Sequence, residues 1–425
     1  MESGQRPSVE QLVQSSRISD EVQERVARIV ADVRNSGDEA VIRYTEEFDQ
    51  VKLGLMRVSE LDIQKAARQV PRHVQDALAQ AAKNIREFHE QQVQKSWFIT
   101  RPDGALLGSR LTPLDCVGIY VPGGRAAYPS SVLMNAIPAQ VAGVSRIVMV
   151  TPPRAGGSVD PSLLIAAQIA GVTDIYAVGG AQAIAALAYG TEQIPAVDKI
   201  CGPGNSYVAQ AKRQVFGDVG IDMVAGPSEV LILADETSDA SMVAIDLLAQ
   251  AEHDPQAVTY LVTTDEDLVD EVIEKVELYL ASSPRQEITK ESIDKNNVVF
   301  VCPDLKTAIL AVNTIAPEHL EIQMDQPHEL LGLIDNAGAI FLGPWSPTSV
   351  GDYVAGPNHT LPTGGTARFS SPLSVDDFVK KTNIISYSFA ALQKDAKTVA
   401  SLAEAEGLWA HAKSVDVRFE SVEGV

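Results

Sequence analysis

The sequence predicts an α/β protein built on parallel sheets with helices on both faces. Three observations carry this. Short apolar runs at 116–121, 146–150, 174–178, 198–201, 229–233, 258–262, 298–301, 320–322 and 339–342 alternate with stretches of helical spacing. Parallel strands buried on both faces read as continuous apolar runs of this kind. Glycine turns follow three runs of the first half, at Val121-Pro-Gly-Gly124, Val178-Gly-Gly180 and Cys201-Gly-Pro-Gly-Asn205, and glycine permits the sharp turn from strand to helix. Finally, 425 residues, 45% of them apolar, supply interior for two or three domains.

From 19 to about 96 the pattern is helical. Ser19 is placed to cap a helix whose apolar face is Val22, Val26, Ile29 and Val33, and Gly37 is expected to end it. Val74, Leu78, Ala81, Ile85 and Phe88 form the face of a second long helix, with His73 and His89 expected on its solvated side. The strand-helix alternation then fills 116–345 as two consecutive α/β units. Between Arg125 and Arg146 there is no charge, but Pro129, Asn135 and Pro138 interrupt the run. It reads as a buried segment, not a membrane span. Past Phe341 the chain becomes rich in Gly and Pro up to Pro372, an extended loop too long for a plain connector. The last fifty residues read as helix.

Composition narrows the function. With 34 basic and 56 acidic residues the formal charge is −22, which disfavours nucleic acid and anionic membrane as partners. Cys116, Cys201 and Cys302 are far apart and each lies near apolar strand residues. That spacing fits no disulfide framework or cysteine-rich metal site and suits a reducing compartment. The first ten residues lack the apolar core of a signal peptide, so a cytoplasmic protein is expected.

Candidate chemistry gathers around four histidines. Gln250 and His253 end a helical run with Ile245, Leu248 and Ala249 on its apolar face, and Asp254-Pro255 stops it. Side chains three apart on a helix can converge on one divalent ion, although for such a pair taken alone a helix end with a partly exposed His is the commoner account. His319 follows Glu318 at the start of a strand. The two diverge if the chain is extended there, but line one cleft as an acid/base pair if it turns. His359 follows Asp352 in the Gly/Pro loop, and His411 follows Glu406 near the C-terminus. The glycine turns complete no G-x-G-x-x-G fingerprint, so they are tight packing turns or a phosphate cradle with equal claim.

Taken together, the motifs have a family. GIYVPGGRAAYPSSVLMNAIPAQVAGV (118–144), GGAQAIAALAYGT (179–191), KICGPGNSYV (199–208), AGPSEVLILAD (225–235), AQAEHDPQA (249–257), APEHLEI (316–322), GDYVAGPNHTLPTGGTARFSSPLSV (351–375) and EGLWAHAKSV (406–415) resemble, in order and spacing, the histidinol dehydrogenases. The resemblance spans nearly the whole chain. Trp409 departs from it, where a small polar residue is the family's habit.

The resemblance implies two incomplete Rossmann-like domains with parallel sheets in a domain-swapped homodimer. One domain is split over 17–119 and 230–373 and the other is 120–229. An N-terminal segment covers 1–16, and a helical tail at 374–425 reaches the partner subunit. It implies one Zn2+ per subunit held by Gln250, His253, Asp352 and His411, and a substrate, L-histidinol, that also meets Ser228, His319, His359 and Glu406. Tyr120, Gln182 and Asn205 are the implied NAD contacts. The implied reaction is the four-electron oxidation of L-histidinol to L-histidine through the aldehyde, with two NAD+ in succession. His319 is its base and Glu318 activates water for the hydrate. Two rival classes share these residues: a zinc hydrolase, which needs no NAD, and a non-catalytic metal-binding scaffold.

Overall fold

The computed structural model describes residues 19–123 and 127–423; the segment 1–16 and Gly124 of the first glycine turn lie outside them. In chain order come helices α1 (Asp20–Asp49), α2 (Glu60–Gln69) and α3 (Arg72–Glu90), then strands β1 (Trp97–Thr100) and β2 (Leu106–Pro113). A first alternation runs β3 (Cys116–Tyr120), α4 (Pro129–Ala142), β4 (Arg146–Thr151), α5 (Pro161–Ile169), β5 (Asp174–Ala177), α6 (Gly180–Tyr189), β6 (Lys199–Cys201), α7 (Ser206–Val215), β7 (Gly220–Ile221). A second runs β8 (Glu229–Ala234), α8 (Ala240–Ala251), β9 (Val258–Thr263), α9 (Glu266–Leu280), α10 (Gln286–Asn296), β10 (Asn297–Val301), α11 (Leu305–Ile315), β11 (His319–Gln323), β12 (Ala339–Leu342), α12 (Thr348–Tyr353). β13 (Val379–Ser386), α13 (Phe389–Ala405) and α14 (Trp409–Glu423) follow.

The chain divides into two compact units, Met1–Val93 with Leu114–Phe378, and Gln94–Pro113 with Val379–Val425. The first holds two five-stranded parallel sheets, in the orders β5-β4-β3-β6-β7 and β10-β9-β8-β11-β12. Each order reverses direction once, between β3 and β6 and between β8 and β11, and such reversals are where open α/β sheets leave a crevice. The apolar runs are strands because both faces are covered: every residue of β8 is buried, and Val117, Ile119, Val148 and Val150 are inaccessible in the first sheet. α4 carries no charge because it is buried nearly all round, from Ser130 to Ala139.

Local expectations meet the structure unevenly. Ser19 caps α1 by accepting the N–H of Val22. At Gly37 the backbone leaves helical geometry (φ +51°, ψ −131°), yet helix resumes at once and runs to Asp49. Gly37 is therefore a kink, and its missing Cβ leaves room for the Glu192 carboxylate, which accepts the N–H of Asp38 at 2.8 Å. His89 is fully buried, with Nδ1 2.8 Å from the Ile85 carbonyl, because it continues the stripe Leu78, Ala81, Ile85 by one turn. On α8 the inward face is Val243, Ala244, Leu247, Leu248 and Ala251, and Ile245 is half exposed. The Gly/Pro loop includes the short helix α12 and a 3-10 turn at Thr366–Arg368. Among the described residues no helix is long and apolar enough to cross a membrane.

In the second unit β1, β2 and β13 form an antiparallel sheet with β2 central. The tail thus opens as strand, not helix. β13 pairs with β2 from Val379 opposite Pro113 to Ser386 opposite Leu106, so its backbone groups find partners that a local reading cannot see. Phe389 and Phe419 meet edge to face, 5.5 Å between centroids, joining α13 to α14. Every residue of β1 is exposed.

Candidate active site

The reversal between β8 and β11 gathers the titratable side chains, and it does so at the amino ends of those strands. Ala316, in the left-handed region (φ +51°), ends α11 and turns the chain toward β11. Glu318 and His319 follow, both buried. Both are anchored on the backbone of one residue, Glu229, the first of β8. Its N–H donates to Glu318 Oε2 at 2.7 Å, and its carbonyl lies 2.9 Å from His319 Nδ1. A carbonyl only accepts, so Nδ1 carries the ring proton and Nε2 keeps a lone pair. Nε2 is buried with no hydrogen-bond partner among the described residues and stands 3.8 Å from Asp352 Oδ1. The turn before β11 has resolved the choice left open by the sequence: the two side chains converge, with Nδ1 3.6 Å from Glu318 Oε2.

Burial sets the charges here. It lowers the pKa of His319, against the opposing pull of Asp352 and the Glu229 carbonyl, while the nearby His253 and His359 lower it further. Burial thus favours the neutral imidazole. Burial pushes Glu318 well above its ordinary value, and the Glu229 and Asp352 charges add to that while the Glu229 N–H opposes it. Glu229 itself is pushed up to about 7, again by burial first. Phe341 on β12 screens the imidazole from one side, 6.0 Å between ring centroids. Gly351 lets α12 come close to that ring, where a Cβ would meet it at 2.7 Å.

Asp352 is carried by α12, and the loop returns so that His359 Nδ1 lies 3.0 Å from the Asp352 carbonyl. His359 Nε2 is 3.2 Å from Ser131 Oγ, at the start of α4, and Asn358 donates to the Met134 carbonyl at 2.6 Å. The amino end of the second sheet therefore abuts the helix that leaves the carboxyl end of β3. Gln250 is buried in the last turn of α8 and half-buried His253 lies just past it, close enough for its charge to bear on both His319 and His359. Ser228 precedes β8 and is half-buried. Glu406 and His411 belong to the second unit, at the end of α13 and on α14, and both are exposed. Among the described residues no group of three or more His, Cys, Asp or Glu stands ready to hold a metal. Of the four residues that the resemblance implies as metal ligands, the first unit carries three, Gln250, His253 and Asp352, an amide, an imidazole and a carboxylate whose chemistry suits a borderline divalent ion.

The three cofactor candidates lie at the carboxyl ends of the first sheet. Tyr120 ends β3, buried, and its hydroxyl accepts the N–H of Gly180 at 3.2 Å. Gln182 Oε1 and Thr151 Oγ1 are buried there with no hydrogen-bond partner among the described residues. Asn205 caps α7 by accepting the N–H groups of Tyr207 and Val208, both at 3.1 Å. Gly202 (φ +105°) has no room for a Cβ, which would lie 2.1 Å from the Tyr120 carbonyl oxygen. A buried ion pair that the sequence does not announce clamps this turn: Lys212 Nζ donates to the Gly202 carbonyl and to Asp222, which accepts the Gly202 N–H at 2.7 Å. Two unpartnered oxygens beside a glycine turn suit the polar groups of a dinucleotide. Cys201 contributes no nucleophile, since burial holds its thiol well above its ordinary value.

A neutral imidazole beside buried carboxyls at one sheet's reversal, and glycine turns at the strand ends of the other, are the features of an α/β enzyme. The sequence matches the histidinol dehydrogenase family over residues 12–419. It is 54% identical over 402 residues to histidinol dehydrogenase of Halalkalibacterium halodurans, covering 95% of each chain. The Bacillus subtilis enzyme of that name is 53% identical over 400 residues, covering 94% of each. The crystal structure of histidinol dehydrogenase from Elizabethkingia anophelis superposes with a TM-score of 0.93 at 39% identity, over 98% of this chain and 96% of that one. The chain belongs to the histidinol dehydrogenase family and is an oxidoreductase.

Proposed function

We propose that the enzyme oxidises L-histidinol to L-histidine in one site, through bound L-histidinaldehyde, the last two steps of histidine biosynthesis. Histidinol oxidation follows from family membership; the residue roles are our reading. The observation that carries it is His319, with Nδ1 tied to a carbonyl and Nε2 buried and unpaired. The alcohol proton passes to Nε2 as the hydride leaves. Glu318, its Oε2 held by the Glu229 N–H, then takes a proton from the water that adds to the aldehyde. Once it has released that first proton to solvent, His319 removes the hydrate's proton in the second oxidation. NAD, held by Tyr120, Gln182 and Asn205, would supply the hydride acceptor. One zinc ion per subunit, held by Gln250, His253, Asp352 and His411, would orient the substrate's nitrogens. Ser228, His359 and Glu406 would complete the substrate's surroundings.

The test is NADH formation from L-histidinol, repeated with the aldehyde, before and after chelation. Loss on chelation and return with zinc are expected. Full turnover without stoichiometric divalent metal removes the metal reading, and hydrolysis without NAD would favour the hydrolase.

The division of the four implied ligands between the units, and the exposure of Glu406 and His411 in the second, support a homodimer whose tail completes the neighbour's site. Trp97, Phe98, Ile99, Ile385, Leu402 and Trp409 leave the second unit rich in exposed apolar surface, as an element exchanged between subunits would be. His411→Ala and His253→Ala homodimers should each be inactive. Reassembled together at equal amounts they should regain roughly a quarter of wild-type sites. A mixture that exchanges subunits and stays inactive rejects the shared site.

A further inference from the structure

Two buried carboxyls have no part in the chemistry just described, and both reach the Gly/Pro loop. Glu321 Oε1 accepts the N–H of Thr348, the first residue of α12, at 2.8 Å. α12 has Pro347 as its cap residue and no side-chain cap of its own, so Glu321 supplies from 27 residues away what a local Ser or Asp supplies elsewhere. The other carboxyl oxygen is held as well: Gln323 Nε2 donates to Glu321 Oε2 and to Asp246 Oδ2, each at 2.7 Å. Glu229 Oε1 accepts the N–H of Gly364 at 2.9 Å, and the adjacent Thr363 hydroxyl accepts the N–H of Gly226 at 2.6 Å. Asp352 and His359 lie between the two attachment points.

Position on the strands gives these contacts their meaning. His319, Glu321 and Gln323 alternate along β11 and share one face, so the carboxyl that holds α12 stands on the same rigid strand as the base. Glu229 is a junction: its N–H holds Glu318, its carbonyl holds His319 and its side chain holds the far leg of the loop. Both carboxyls sit where burial opposes their ionisation, raising Glu229 to about 7 and Glu321 to about 8. A loop needing only to be anchored could use a neutral cap at lower cost.

We propose that Glu229 and Glu321 are positioning residues that clasp the two legs of the 343–373 loop and register Asp352 and His359 to His319. The proposal rests on the role given to His319 above. A displacement of about 1 Å at such a site costs on the order of 10²-fold in rate.

Two measurements test it, amide hydrogen exchange across 343–365 and steady-state kinetics, on the full-length enzyme. Glu321→Leu and Glu229→Leu should speed exchange at 348–353 and 362–366 respectively and lower kcat about 10²-fold, with exchange in β3–β6 unchanged. Glu321→Gln keeps an acceptor oxygen in place and should recover most of both. If the leucine variants do not fold, Thr348→Pro decides: proline suits the first helical position and deletes only the donated N–H from the backbone. It should raise exchange at 349–353 and lower kcat like Glu321→Leu. Wild-type exchange at the loop together with kcat within threefold of wild type, in the leucine variants or in Thr348→Pro, overturns the clasp. Exchange reads the clasp without turnover, so failure of wild-type enzyme to oxidise histidinol would sink the assigned reaction and leave the clasp to be judged by exchange.

Discussion

The two parallel sheets have the same strand plan and spend their interiors differently. Around β5-β4-β3-β6-β7 the helices α4, α5 and α6 carry no charged side chain; α6 is buried from Ala181 to Ala188, and the proposed cofactor contacts there stand beside glycine turns. The buried charge noted there, Lys212, is matched directly by Asp222. Around β10-β9-β8-β11-β12 the interior admits Glu229, Glu318, His319 and Glu321, without a basic side chain paired to each. The first sheet offers shape and the second offers electrostatics. Burial is what raises the carboxyl pKa values and keeps the imidazole neutral against the pull of Asp352, the condition acid/base work needs at ordinary pH.

The comparison breaks first at His319. His319→Ala should lower histidinol oxidation by about 10²–10⁴-fold, the loss expected on removing a general base. Glu318→Gln should slow aldehyde oxidation more than alcohol oxidation; equal losses on the two substrates would end that division of labour. In the first sheet the matched charge should matter to folding instead. Lys212→Met leaves Asp222 buried and unpaired and should cost about 3–5 kcal/mol in denaturant unfolding. Adding Asp222→Asn, which retains an acceptor for the Gly202 N–H, should recover much of it. A single variant as stable as wild type would show that the pair is not the clamp.

The next effect is smaller and depends on pH. Glu229 rises from an ordinary 4.5 to about 7 in the fold, so the folded state holds that proton more tightly than the unfolded chain. The resulting stability is full below about 4.5 and is lost as pH climbs through 7, with a ceiling of about 3 kcal/mol. Relative to Glu229→Gln, wild type should therefore weaken between pH 5 and 8. Parallel stability curves across that range would deny the buried charge. Smallest of all, Lys290→Ala on α10, which removes an exposed pair with Asp294, should change stability by about 0.5 kcal/mol or less. A larger loss would mean that surface charge, too, shapes the second sheet.

Much of this was legible beforehand, for reasons that differ from place to place. Burial on both faces removes any need for alternation, so the apolar runs marked the strands. His89 was misplaced on the solvated side although Leu78, Ala81 and Ile85 lead to it by helical spacing. β13 was missed because a strand's partner, here β2, lies far away in the chain. Glu321 left one faint trace, the alternation His-Leu-Glu-Ile-Gln over 319–323, too short to separate from chance.

By itself the sequence determined the α/β alternation, the glycine turns and the family, since these rest on local burial, local backbone freedom and ordered motifs. Tertiary structure alone decided that Glu318 and His319 meet on Glu229, and that Glu229 and Glu321 hold the loop. Those bonds join residues 89, 27 and 135 apart. A carboxyl's need for a donor is written in its residue type, but which backbone N–H answers it depends on where the folded sheet brings the chain back.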